Sequence, residues 1–119
     1  MRKNINLAIM LIIPMLMGET AMNTVTLEQA EVLAQAGIDK MYTENKSTID
    51  KDRISEYDYG WVFEVVTYKY LETKDVRDLA LGRAKFVVLR NGTVKDVPWF
   101  VRGEKPIYTY VTTGEIIRE

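Results

Sequence analysis

The chain has 119 residues and contains no cysteine and no histidine. Disulfides, thiolate nucleophiles, imidazole bases and His or Cys metal ligands are therefore excluded, and any catalysis would fall to carboxylates, Lys, Tyr or Ser/Thr. With 16 basic and 17 acidic residues, net charge −1 and 47% apolar residues, the composition is that of a single globular domain. It lacks the basic excess of a nucleic-acid binder.

Residues 1–21 read as a separate segment. Arg2 and Lys3 precede an apolar run from Ile5 to Met17, interrupted by Asn6 and Pro14. A basic start followed by a short apolar stretch is the form of a secretory signal peptide, and the run is shorter than a membrane-spanning helix requires. The small residues that a cleavage site wants fit only loosely around Gly18, Thr20 and Ala21. An uncleaved membrane anchor and a translation start at Met22 are the alternatives. Export predicts a periplasmic or secreted product; a start at Met22 predicts a cytoplasmic one. Residues 22–119 are then one domain.

Within that domain, Thr26-Leu27-Glu28-Gln29 is a capping-box pattern. Leu27, Ala30, Leu33, Ala34, Gly37, Ile38 and Met41 follow at helical spacing, which predicts an amphipathic helix over 27–43. Gly37 inside it costs about 1 kcal/mol of helix propensity and suggests close packing against a sheet. Residues 44–58 are polar and aperiodic, a loop with a weak strand around 53–57. Gly60 opens a strong strand running to Tyr70, rich in β-branched and aromatic residues. Alternation puts Trp61, Phe63 and Val65 on one face and Val62, Glu64, Val66, Tyr68 and Tyr70 on the other.

A connection with a helical turn around 76–81 leads to a second strand, 84–90. Asn91-Gly92 signals a type I′ hairpin, which needs positive φ at both residues, and 93–97 returns as a strand ended by Pro98. Pro106 to Val111 fits a strand by composition, although Pro106 also suits a helix start. The expected fold class is α+β: an N-terminal amphipathic helix packed on an antiparallel sheet of three to four strands.

These features in this order resemble the YrhB-like immunity protein 35 family of bacterial polymorphic toxin systems. The resemblance rests on Thr26-Leu27-Glu28-Gln29-Ala30 at the helix start, Gly60-Trp61-Val62-Phe63, and Tyr68-Lys69-Tyr70-Leu71-Glu72-Thr73. Ala80-Leu81-Gly82 ahead of Phe86-Val87-Val88, the Asn91-Gly92 hairpin and Lys105-Pro106-Ile107 complete it. It spans roughly residues 26–111. The chain departs from the family at Arg90-Asn91-Gly92, where members usually carry an acidic residue. A second departure is Tyr108-Thr109-Tyr110, which reads as strand where members tend to be helical and acidic. Many members also lack a signal peptide. The resemblance implies an α+β protein that binds a cognate toxin and blocks it, with no chemistry of its own.

The residues themselves offer few sites. Trp61 and Phe63 are assigned to the core under the helix stripe. Glu64, Tyr68 and Tyr70 share the opposite face, which reads as solvated or partner-facing. Tyr57, Tyr59 and Trp99 are loop aromatics of a kind enriched at interfaces, with Trp99 alternatively folded over the sheet edge. Glu72, Asp75 and Asp78 form an acidic cluster that would suit a basic toxin cleft. Asp50 and Asp52 are too few for a calcium loop, and Gly82, Gly92 and Gly103 form no phosphate cradle. No cofactor or metal is expected.

The expected function is an immunity protein that occludes a toxin or secreted effector, contacting it through Tyr57, Tyr59, Tyr68, Tyr70, Glu72, Asp75, Asp78 and Trp99. The rival reading is a periplasmic ligand- or envelope-binding domain without a toxin partner. Carboxylate-based catalysis is the remote third.

Overall fold

A computed structural model describes residues 24–43, 46–79 and 82–117. The readings made for residues 1–21 and for Met22 lie outside the described residues. Among those described, no helix is long and apolar enough to cross a membrane. The element order is α1 (Leu27–Met41), β1 (Ser47–Tyr57), β2 (Gly60–Thr67), α2 (Tyr68–Thr73), a single 3₁₀ turn (Val76–Asp78), β3 (Lys85–Leu89), β4 (Val94–Val97) and α3 (Glu104–Thr113). The four strands form one antiparallel sheet in the order β1-β2-β3-β4. The fold class is α+β.

α1 starts where its capping box places it. The Gln29 amide donates to Thr26 Oγ1 at 3.1 Å, and Gln29 Oε1 accepts from the Thr26 amide at 2.8 Å. Two orphan N–H groups of the first turn are thereby satisfied. The helix ends at Met41 rather than residue 43, with the Tyr42 amide closing on the Ile38 carbonyl. Its buried stripe of Ala30, Ala34 and Ile38 packs on Ile49, Trp61, Phe63, Phe86 and Val88. The small alanines let helix and sheet approach closely. A Cβ built on Gly37 would lie 3.0 Å from Phe86 Cε2, so the glycine does mark a close helix–sheet contact.

β1 is longer than the expected weak strand. Its alternation is broken because Ile49 pairs with Val65 and Ile54 with Phe63, with a bulge between them. The extra residues shift the parity, so two isoleucines five positions apart both serve the α1 face. As an edge strand β1 also needs cover. Gln35 of α1 provides it, accepting from Thr48 Oγ1 and the Ile49 amide and donating to the Ser47 carbonyl.

Three further expectations are corrected. β2 ends at Thr67, not Tyr70: the Thr67 hydroxyl accepts from the Tyr70 amide at 3.0 Å and donates to the Asp78 carbonyl at 2.7 Å, capping α2. Tyr68 and Tyr70 therefore lie on a short helix and not on the sheet. The β3–β4 turn is not type I′, since only Gly92, at φ +92°, takes positive φ there. Four residues, 90–93, join the strands, and the Gly92 amide bonds to the Leu89 carbonyl while the Leu89 amide bonds to the Thr93 carbonyl, the pattern of a type I turn closed by a left-handed glycine. Finally, the segment around Pro106 is helical. Ile107, Tyr110 and Val111 recur at helical spacing, and together they meet Val62, Val87, Val97 and Val101 in a second apolar cluster. The sheet face opposite α1 is thus partly roofed by α3 and is not fully solvated.

Candidate partner-binding cleft

The part of that second face which α3 leaves uncovered is a cleft of about 710 Å³. Alternation supplies its floor. Ser55 and Tyr57 come from β1, Val62, Glu64 and Val66 from β2, and Lys85 from β3. One wall is α2 and the turn after it, through Tyr70, Leu71, Lys74 and Leu79. The other is the segment between β4 and α3, through Trp99, Arg102 and Gly103, with Ile107 beyond.

Lys85 is the least expected residue of the floor. It is only 7% exposed. Its ammonium donates to the Trp99 carbonyl at 2.6 Å and the Val101 carbonyl at 3.0 Å. Burial lowers its pKa below the ordinary lysine value; nearby Glu64 works against that shift and the like charge of Arg102 adds to it. The β2–β3 register, Phe63 opposite Phe86, continued by one residue, sets Glu64 across from Lys85. Sequence reasoning missed this lysine, although a lone charge in the apolar strand Lys-Phe-Val-Val-Leu was a visible signal.

Trp99 stands on the rim. It is 49% exposed and meets Phe100 edge-on at 5.7 Å, with Phe100 also 44% exposed. The covered part of its indole lies beside Gly82, where an added Cβ would stand 3.9 Å from the ring. Of the residues named from sequence, Tyr57, Tyr70 and Trp99 come together around this one cleft.

The others do not join them. Tyr59 serves as a tie: its hydroxyl donates to the Glu104 carbonyl at 2.8 Å, and its ring packs between Tyr57 at 5.4 Å and Tyr108 at 4.9 Å. Burial, then Tyr57 and Glu104, raise its pKa well above the ordinary phenol value. It borders a smaller, open hollow of about 400 Å³ with Asp58, Glu104, Lys105 and Tyr108. Tyr68 and Glu72 are exposed on α2. Asp75 is bound bidentately by Arg77, which holds its carboxyl below the usual range. Asp78 pairs with Lys69 at 3.6 Å and accepts from Thr73. The charges of these two acids are thus met locally by cations.

Asp50 pairs with Arg53 at 3.7 Å and accepts from the Asp52 amide. Among the described residues no three acidic side chains converge as metal ligands. Comparison with protein-family models, with curated proteins and with solved structures finds no match.

Proposed function

We propose that this protein is an immunity-type inhibitor that binds a cognate toxin or secreted effector and occludes it, using the cleft between α2 and the Trp99 segment as its docking face. The observation that carries the reading is the rim. Two adjacent aromatic residues, Trp99 and Phe100, stand about half exposed beside a concave, mixed polar and apolar surface. Exposed tryptophan next to a pocket is the usual anatomy of an interface hot spot. The resemblance of residues 26–111 to the YrhB-like immunity protein 35 family supports the same reading. The helix found at Pro106 agrees with the helical part of that family's tendency there, while residues 107–113 lack its acidic character. Export through residues 1–21 would place the inhibitor in the periplasm.

The test is co-expression with the product of the adjacent gene. The inhibitor reading expects that product to arrest growth alone, and the full chain to relieve the arrest and co-purify with it. An adjacent product that neither harms the cell nor binds contradicts it.

A second reading keeps one observation in its favour. A cleft of about 710 Å³ lies within the range of small-molecule pockets, as an envelope- or ligand-binding domain would need. That reading expects a soluble cell-wall fragment to raise the thermal midpoint of the chain in the absence of any protein partner.

A further inference from the structure

The polar equipment of the cleft is unevenly used. An ammonium has three donors, and Lys85, nine-tenths buried, spends two of them on the Trp99 and Val101 carbonyls. Arg83, on the same lining, stacks its guanidinium 4.1 Å over the Tyr42 ring and keeps a buried Nε–H that bonds to nothing. A buried donor without an acceptor costs stability, and such groups are normally satisfied. Arg102 stands close enough for its charge to be felt at Lys85.

The other cations of the lining are engaged: Arg53 with Asp50, and Lys74 over the Tyr70 ring. The lining holds five cations (Arg53, Lys74, Arg83, Lys85 and Arg102) against three acids (Asp50, Asp52 and Glu64), which leaves the cleft with an excess of two positive charges. An acceptor-rich anion is what the unspent donors call for, and a planar carboxylate suits a guanidinium best.

We propose that the cleft receives a carboxylate side chain, an Asp or Glu on a protruding loop of the protein partner, held by Arg83, Lys85 and Arg102 while Trp99 covers the loop. This rests on the inhibitor reading above and names the chemistry its partner brings. It also reverses the polarity expected from sequence, because the partner presents the acid and this chain the base.

The experiment follows the Arg83 Nε–H and Trp99 indole signals of the full chain by NMR during titration with a blocked Gly-Glu-Glu-Gly peptide, its Gln counterpart, and succinate. The Glu peptide should move both signals and the Gln peptide neither. Arg83→Gln and Arg102→Gln, with circular dichroism unchanged, should each weaken binding about tenfold, as loss of a charged hydrogen bond implies. No response to the Glu peptide, or an equal response to the Gln peptide, overturns the proposal. Succinate binding more tightly than the peptide overturns the protein source in favour of a free carboxylate.

Binding of the adjacent gene product separates the two claims. If it forms a complex that Arg83→Gln and Arg102→Gln leave unweakened, the carboxylate inference alone fails. If it forms none while the Glu peptide still binds, the inhibitor reading alone fails.

Discussion

The Lys85 ammonium donates a 2.6 Å hydrogen bond to the carbonyl of Trp99, so a buried cation in the sheet anchors the loop that carries the exposed indole. The bond to Val101, at 3.0 Å, fixes the same loop two residues on. Lys85→Met keeps the stem and removes both donors. Lost hydrogen bonds of about 1 kcal/mol each are partly offset by relief of a buried charge, so the expected net loss of stability is about 1 kcal/mol. The sharper consequence is local: amide exchange at residues 99–101 should accelerate far more than in β2. Unchanged exchange there would show that Lys85 does not hold the loop.

The alkaline limb of stability should carry two opposed contributions. Lys85 binds its proton more weakly folded than unfolded. Below its ordinary 10.5 the unfolded state therefore holds more protons, and stability rises with pH through that window. Tyr59 behaves oppositely. Its folded pKa is raised above the ordinary 10.0, so its contribution is complete below pH 10.0 and is lost as pH climbs beyond it. Tyr59→Phe should cost about 1 kcal/mol at neutral pH through the Glu104 bond and flatten the fall above pH 10. Denaturant titrations from pH 8 to 11.5 check both, and an unchanged slope above pH 10 in Tyr59→Phe would contradict the assignment.

Gly37 lies against Phe86 with no room for a methyl group: an added Cβ meets the ring at 3.0 and 3.1 Å. Alanine there gains about 1 kcal/mol of helix propensity but overpacks the core, which costs about 1–3 kcal/mol. Phe86 is 3% exposed and has little freedom to give way. Gly37→Ala is expected to destabilise by about 1 kcal/mol, and the same change on a Phe86→Leu background to stabilise. A double-mutant cycle measures this directly; additive effects would refute the contact.

Gly60 is the stricter case. It takes φ +149°, and a Cβ would fall 2.1 Å from the Val88 carbonyl oxygen at the β2–β3 seam. Gly60→Ala should cost more than about 3 kcal/mol, combining backbone strain and overpacking. Urea unfolding of the variant measures the loss, and a change under 1 kcal/mol, of the size usual for surface sites, would contradict the geometry.

What was legible in the sequence follows from how local each signal is. The α1 start needs only Thr26 and Gln29, and the α1 stripe only its own spacing, so both were readable. β1 was obscured because its bulge breaks alternation between Ile49 and Ile54. The end of β2 turned on Thr67, whose capping role was overridden by the strand-like run Tyr-Lys-Tyr after it. At α3, residue composition favoured a strand, yet Pro106 in the first turn and Gly114 just past the end were the helix signals to weigh. The candidate site was legible in its aromatics, Tyr57, Tyr70 and Trp99. Its cations were not, because Arg83, Lys85 and Arg102 come to border one cleft only once the segment before α3 is folded back onto the Lys85 ammonium.

The measurement that bears most directly on the central claim is the affinity of the full chain for the adjacent gene product, with and without Trp99→Ala. The inhibitor account predicts a stable complex in which that substitution costs at least about 2 kcal/mol, roughly thirtyfold, as truncation of a central hot spot does, while stability is little changed. A complex of equal affinity with the variant, or no complex at all, would contradict it.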